Sequence, residues 1–307
     1  MIKYPNFFIV GAPKSGTTSL YHYLKQHPDI SIPEKEPRYF IKDSILGVSE
    51  EDPIKPYLLR SSILDENEYF NLYKDKTEKI LCDSSTQYLF HHDEVIPKIK
   101  ALENEPKILI LLRNPIDRAY SNYQHNLSTF ENLSFEKAIN HEQQRSDKKF
   151  NSFWYYQGLS LYSNQVSAYQ KEFKDVKVLF FENFIEDING TLSDIFDFLE
   201  IDSSFEPSNF MVNKKSTGVP KRKWVNSLLQ YFSGLSFLKN SFYRLFGKEK
   251  TKLIRELAMR KNLTKTKKGI DDKLRLQLES FFLDDVNKLK EILPLQNVNW
   301  LNNGKDS

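Results

Sequence analysis

The chain of 307 residues has a single cysteine, Cys82, so no disulfide can close within it, and a reducing compartment suits it. His91 and His92 stand side by side without companion ligands at metal-site spacing, so no metal is expected. No apolar run reaches membrane-spanning length, roughly 18 residues. Only Lys3 and Pro5 mark the approach to a first apolar run of four residues, 7–10; no secretory signal is expected, and a cytoplasmic location is. Charge of one sign is scarce overall: 44 Lys/Arg against 41 Asp/Glu leaves +3, which does not suggest bulk nucleic-acid binding. Internal repeats and low-complexity tracts are lacking too. What is present is 39% hydrophobic and 14% aromatic, enough for a sizeable core in one large α/β domain or two small ones.

One more absence is the most informative. Residues 11–18 read Gly11-Ala12-Pro13-Lys14-Ser15-Gly16-Thr17-Thr18, the frame of a phosphate-binding loop. A nucleoside-triphosphate loop places Lys directly after its second Gly, to reach the β/γ-phosphates, and then a hydroxyl for Mg²⁺. Here Thr17 follows Gly16 and the lysine has moved inside the loop, to position 14. Around it, Phe7-Phe8-Ile9-Val10 predicts a strand buried on both faces, and 17–26 predicts a helix stopped by Pro28. The helix N-terminus would turn unpaired N–H groups and the positive end of its dipole toward an anion, with Gly11 and Gly16 allowing close approach. The plainer alternative is a glycine-bearing turn that only packs a strand against a helix.

A second motif follows another apolar run. Residues 108–112, Ile-Leu-Ile-Leu-Leu, lead into Arg113-Asn114-Pro115-Ile116-Asp117-Arg118-Ala119-Tyr120-Ser121. Asn114 predicts a helix cap and Pro115 the first helical residue, which puts Arg113 at the strand's end and Ser121 about two turns into the helix. Arg118 and Ser121, three apart, share a helix face. A guanidinium with a nearby hydroxyl suits a phosphate monoester, which takes charge and bidentate hydrogen bonds together. Alternatively, Arg113 pairs with an acid at the sheet edge.

Further strands are predicted at 79–82 and 176–181, with helices at 94–102, 162–173 and 192–199. The alternation predicts an α/β fold: a P-loop-like, doubly wound central parallel sheet flanked by helices, with its ligands at the carboxyl ends of the strands. Near the C-terminus, residues 239–268 hold eleven Lys/Arg and two acidic residues, a local charge of +9 that leaves −6 for the remainder. Aromatic and leucine residues precede and interleave it. Residues 224–268 therefore predict a basic helical insertion, either a lid, a surface for an acidic glycan or an anionic membrane, or a solvated helical face. The whole of 1–307 reads as one domain.

The two motifs in this order resemble the sulfotransferases that use 3′-phosphoadenosine 5′-phosphosulfate (PAPS), nearest to the heparan sulfate N- and O-sulfotransferase domains and their bacterial relatives. The match at 113–125, Arg-Asn-Pro-Ile-Asp-Arg-Ala-Tyr-Ser-Asn-Tyr-Gln-His, is especially close to the N-sulfotransferases. It extends in order through 158–165, 178–184 and Trp300. The resemblance implies that Pro13, Lys14, Ser15, Gly16, Thr17 and Thr18 hold the 5′-phosphosulfate, and that Arg113 and Ser121 hold the 3′-phosphate. No triphosphate chain then needs a lysine after Gly16, and no metal is required. A later donor-contact loop is implied at Gly218, Lys221 and Arg222, with Lys265-Thr266-Lys267-Lys268-Gly269 as a competitor.

Sulfuryl transfer builds charge on the leaving phosphate oxygen, where a preorganised cation lowers the barrier, and Lys14 is the candidate. An alcohol acceptor must also lose a proton. By the resemblance Glu36, in Ser31-Ile32-Pro33-Glu34-Lys35-Glu36-Pro37-Arg38-Tyr39-Phe40, aligns with the family's catalytic glutamate; Arg38 stands where the 3-O-sulfotransferases have histidine. His125 matches a functional histidine of the N-sulfotransferases, and Asp83, beside Ser84 and Ser85, is a third possibility. The plainer readings make Glu36 a surface carboxylate paired with Lys35 or Arg38, His125 structural or acceptor-binding, and Asp83 a strand-end turn residue. Trp154, Tyr155 and Tyr156 either stack on sugar rings or belong to the core. The acceptor stays open among a hydroxyl or amine of a glycan or glycoconjugate, a lipid headgroup, a peptide natural product and a small phenol. A nucleotide-dependent kinase and a non-catalytic scaffold are the competing functions.

Overall fold

In this computed structural model, the described residues are 3–34, 36–102, 104–208, 269–293 and 300–301, with the backbone of 219–220 and 263–264. Five parallel strands form the central sheet: β1 (Phe7–Gly11), β2 (Ile30–Ser31), β3 (Ile80–Ser84), β4 (Lys107–Leu112) and β5 (Val176–Phe180). Their order is β2-β3-β1-β4-β5.

Side chains alternate across this sheet and divide the apolar interior in two. Phe8, Val10, Ile108, Ile110 and Leu112 face one core, which they share with Val95, Ile99, Val166, Tyr169 and Phe282. Phe7, Ile9, Leu109 and Leu111 face the other, with Leu20, Leu24, Ile195 and Phe196. This is why β1 and β4 read as unbroken apolar runs: both their faces are covered. Each fully buried Leu, Ile or Phe in these layers contributes on the order of 1.5–3 kcal/mol.

The α-helices among the described residues are α1 (Thr17–Leu24), α2 (Lys42–Leu46), α3 (Lys55–Ser61), α4 (Glu66–Asn71), α5 (His92–Lys100), α6 (Pro115–Leu127), α7 (Phe135–Asn140), α8 (Glu142–Asp147), α9 (Ser163–Glu172), α10 (Phe181–Glu186), α11 (Ile188–Leu199) and α12 (Asp272–Ile292). Helices α1 and α11 cover one face of the sheet; α5, α9 and α12 pack on the other. Helix α12, not predicted from sequence, is joined to α9 by Asp285, whose carboxylate accepts from the Tyr162 and Ser163 N–H groups at 2.7 and 3.1 Å. A two-residue antiparallel pair, β6 (Val219–Pro220) with β7 (Leu263–Thr264), stands apart from the main sheet.

Strands β3 and β2 lie to one side of β1, and β4 and β5 to the other. The chain therefore reverses its winding direction beside β1, and the carboxyl ends of β1 and β4 form the switch-point crevice where such sheets bind ligands. The segment after β1 and the segment after β4 are the two motifs singled out from sequence.

Candidate active site

The loop after β1 is shaped by left-handed backbone. Lys14 has φ 71° and Gly16 φ 91°, flanking Ser15. Alternation of this kind turns successive N–H groups into one concavity, an anion nest. Helix α1 starts directly behind it, and its cap residue Gly16 supplies no side-chain bond to the first turn, so the helix's opening N–H groups add to that concavity. Ser15 is fully buried, and its Oγ has no hydrogen-bond partner. An unpaired buried hydroxyl is costly; an anion seated in the nest would satisfy it. Pro13 and Thr17 are buried, Lys14 is half-buried and Thr18 is exposed. Two close approaches hold the loop in place. A Cβ on Gly11 would lie 2.6 Å from Leu89 Cβ and 2.8 Å from the Thr86 carbonyl, and one on Gly16 would lie 2.7 Å from the Phe181 ring.

Arg113 follows β4 and reaches this loop. Its Nη1 donates to the Lys14 carbonyl at 3.2 Å, and its guanidinium carbon lies 4.7 Å from the centroid of Phe181. Phe181 thus packs against both halves of the crevice. Tyr162 donates its hydroxyl to the Arg113 carbonyl at 3.0 Å, and the Asn114 N–H donates to Glu182 Oε1 at 2.9 Å. Asn114 caps α6 as predicted, accepting from the N–H groups of Ile116 and Asp117. Ser121 is half-buried on that helix.

Arg118 departs from its predicted place beside Ser121. The inward stripe of α6 carries it into the core at zero exposure. There Nε donates to Ser160 Oγ, Nη1 to Asn122 Oδ1 and Nη2 to the Tyr156 carbonyl, at 2.5, 3.1 and 2.7 Å. Burial lowers its pKa to about 10. It braces α6 against the 152–160 segment and does not face the crevice.

Glu36 lies on the opposite side of the loop. Thr86 Oγ1 donates to its Oε1 at 3.2 Å, and the Thr86 carbonyl is the group that Gly11 must clear. Arg38 Nη2 donates to its Oε2 at 2.8 Å, with side-chain exposures of 9% for Arg38 and 30% for Glu36. So the pairing is with Arg38, yet the arginine is nearly buried, whereas a plain surface pair has both partners in water. Glu34 turns elsewhere, 3.5 Å from Lys25. Arg38 takes left-handed backbone at φ 55°, and its Nη1 donates to Ser61 Oγ at 3.1 Å.

Beneath this pair sits Asp83, inside β3 and fully buried, so it is no turn residue. Ser85 Oγ donates to its Oδ1 at 2.6 Å, while Tyr69 and Tyr88 hydroxyls donate to its Oδ2 at 2.8 and 3.1 Å. Burial raises its pKa to about 6; the three hydroxyl donors oppose the rise and the nearby Glu36 charge adds to it.

His125 is exposed in the last turn of α6, about 15 Å along the axis from the helix start at ~1.5 Å per residue. Of the three sequence candidates for proton chemistry, Glu36 and Asp83 are linked through Ser85, Thr86 and Arg38, whereas His125 stands on the exposed end of α6. His91 is half-buried between Ser44 Oγ and Ser152 Oγ, at 3.3 and 3.0 Å, and desolvation lowers its pKa to about 4. Among the described residues no group of three or more His, Cys, Asp or Glu is placed to hold a metal ion. Trp154 and Tyr156 are core residues: Trp154 Nε1 donates to buried Asp52, and the Tyr156 hydroxyl donates to Glu131. Trp300 is likewise buried, against Tyr162 and Phe180. Gly218, Lys221, Arg222, the competing 265–268 and all of 224–268 except 263–264 lie outside the described residues.

Sequence reasoning missed Phe181, Tyr162, Glu182, Thr86 and Tyr69. The polar run Ser84-Ser85-Thr86-Gln87 directly after a strand was a signal for Thr86; nothing local pointed to Tyr69.

A nest with a buried unpaired hydroxyl, tied to an arginine across the switch point, is an arrangement suited to an anion. Residues 4–276 match the sulfotransferase domain, and the chain belongs to that family. It is 35% identical to a sulfotransferase from Alicyclobacillus acidocaldarius of known structure, covering 76% of this chain and 93% of that one, with a TM-score of 0.62. It is 25% identical over 218 residues to human heparan sulfate glucosamine 3-O-sulfotransferase 3B1, covering 68% of this chain and 50% of the relative. A stretch of 125 residues is 32% identical to mouse bifunctional heparan sulfate N-deacetylase/N-sulfotransferase 4, covering 40% of this chain and 13% of the relative. The chain thus spans about half the length of the 3-O-sulfotransferase relatives it matches, and far less of the bifunctional ones.

Proposed function

We propose that this sulfotransferase moves a sulfuryl group from PAPS to a hydroxyl, or an amine, of a carbohydrate or glycoconjugate. The observation that carries the reading is the tie between Arg113 and the Lys14 carbonyl. It sets one cation beside the nest and leaves the nest itself, with the unpaired Ser15 hydroxyl, for a second anionic group. PAPS has that two-ended shape, and it supplies an activated sulfuryl group on its 5′-phosphate.

In this reading the N–H groups of the loop, Ser15, Thr17 and Thr18 seat the 5′ end, and Lys14 stabilises charge on the leaving phosphate oxygen. Arg113 and Ser121 seat the 3′-phosphate, and Gly218, Lys221 and Arg222 belong to a later contact. Glu36 takes the acceptor proton as the new oxygen–sulfur bond forms and the bond from sulfur to the 5′-phosphate oxygen breaks. The products are a sulfated acceptor and adenosine 3′,5′-bisphosphate. His125 serves as an acceptor contact. The heparan sulfate enzymes to which the chain is similar support a glycan acceptor. Residues 1–307 act as one cytoplasmic domain, in which 224–268 is a lid or a helical insertion.

Calorimetry with adenosine 3′,5′-bisphosphate and with ATP, each with and without Mg²⁺, tests the donor. Metal-independent preference for the bisphosphate is expected, and preference for Mg-ATP would overturn the reading. Transfer of labelled sulfate from PAPS to a panel of glycans, lipids and phenols tests the acceptor, with a glycan expected. Flotation with anionic liposomes at low salt tests 224–268, where binding would favour a membrane contact over a lid.

A further inference from the structure

Two main-chain groups just after Glu36 end on the same buried carboxylate. The Arg38 N–H donates to Ser85 Oγ at 2.9 Å, and that hydroxyl donates to Asp83 Oδ1 at 2.6 Å. The Phe40 N–H donates to the Tyr88 hydroxyl at 3.2 Å, and that hydroxyl donates to Asp83 Oδ2 at 3.1 Å. Each hydroxyl has one proton to give and has already accepted from an amide, so both arms require a pure acceptor at their far end. An ionised carboxylate such as Asp83 offers an acceptor on both oxygens; an amide does not.

We infer that Asp83 is a positioning residue for the base: through Ser85 and Tyr88 it holds the backbone of 38–40 in the turn from which Arg38 grips Glu36. This rests on the reading of Glu36 as the base. The left-handed φ of 55° at Arg38 is uncommon for a residue with a side chain and needs outside support, and the Ser85 arm bonds that same residue's N–H. From this turn Arg38 bonds Glu36 Oε2, while Thr86, next to Ser85, bonds Oε1. Both carboxylate oxygens of Glu36 are thereby oriented by the segment that Asp83 organises. A purely structural account explains the cluster poorly. Asp83 is fully buried and makes no salt bridge among the described residues, a costly arrangement that an apolar residue of similar size would avoid.

Asp83→Asn converts one acceptor oxygen into a donor, so one arm loses its end point, whereas Ser85→Ala removes one arm outright and Ser85→Thr keeps its hydroxyl. In the 307-residue chain, with labelled PAPS and the panel acceptor that gives turnover, kcat is expected to fall at least tenfold in Asp83→Asn and Ser85→Ala. Affinity for adenosine 3′,5′-bisphosphate should stay within twofold, and Ser85→Thr should recover most of the rate. Hydrogen exchange of the 36–41 peptide should quicken in Ser85→Ala while peptides over β1 and β4 do not change. In a Glu36→Gln background Ser85→Ala should add no further loss of kcat. An unchanged kcat and unchanged exchange in Ser85→Ala, or an equal further loss in the Glu36→Gln background, would overturn the positioning role while leaving the base assignment standing. Full activity of Glu36→Gln would overturn the base assignment itself. Should Asp83→Asn fail to fold, the Ser85 pair still decides.

Discussion

Arg113 Nη1 donates to the main-chain carbonyl of Lys14 across the switch point of the sheet, at 3.2 Å. The bond makes the loop after β1 and the residue after β4 one unit, with Phe181 packed against both. In the proposed function, a bisphosphate held at two ends needs its two seats at a set separation, and this contact is the one that fixes it.

Arg113→Lys keeps the charge and loses the planar fork that can bond a phosphate and a carbonyl together. Charge-assisted hydrogen bonds contribute about 1.5–3 kcal/mol, so affinity for adenosine 3′,5′-bisphosphate should fall roughly 10- to 100-fold. Adenosine 5′-monophosphate, which has no 3′-phosphate, should lose far less. Calorimetry on both nucleotides checks the difference between them.

Gly16→Ala places a methyl group at φ 91° and within 2.7 Å of the Phe181 ring. Left-handed backbone alone costs a residue with a side chain about 1–2 kcal/mol, and Phe181 must also move away from Arg113. Thermal unfolding should shift down by several degrees, and binding of adenosine 3′,5′-bisphosphate should weaken more than that loss of stability explains, because the nest is the part displaced.

Glu36→Gln retains an acceptor for Arg38 but cannot take a proton. The expected loss in kcat for a hydroxyl acceptor is ~10²- to 10⁴-fold, the usual contribution of a positioned base, with bisphosphate affinity retained. Steady-state kinetics in labelled sulfate transfer separates the two quantities.

Asp83 gives stability a pH dependence of definite sign. Its pKa is about 6 in the folded chain against an ordinary 3.8, so between about pH 4 and pH 6 the folded state binds more protons than the unfolded one. The stabilisation is complete below pH 4 and is lost as pH rises through 6. Two pKa units correspond to about 3 kcal/mol. The stability of the parent chain relative to Asp83→Asn should therefore fall by about that amount from pH 4 to pH 7, measured by denaturant unfolding at each pH.

Much of the frame was legible in the residue order because its causes are local. Buried parallel strands leave unbroken apolar runs at 7–10 and 108–112, and Asn114-Pro115 announces the start of α6 through a side-chain cap and a fixed φ. The same locality misled at Arg118. Spacing put it on a face with Ser121, but the inward stripe of α6 took the arginine into a pocket made by Ser160, Asn122 and the Tyr156 carbonyl, and spacing along one helix does not say where such partners are. Trp154 and Tyr156 were open between sugar stacking and core for a related reason: their partners Asp52 and Glu131 lie 102 and 25 residues away. Asp83 read as a turn residue because Ser84 and Ser85 follow it. Pairing with β1, Phe8 opposite Asp83 and Ile9 opposite Ser84, keeps it in the strand instead.

What the residues determined by themselves were the parts whose physics acts over a few positions: the parallel strands, the phosphate loop with its displaced lysine, and the capped helix behind Arg113. The tertiary structure alone decided which of the polar residues work together. Arg113 meets the Lys14 carbonyl 99 residues away, and Asp83 gathers Tyr69, Ser85 and Tyr88 under the Glu36–Arg38 pair. Hydrogen bonds and burial act over about 3 Å in space, whatever the separation along the chain. Only the packed sheet brings those groups within that range.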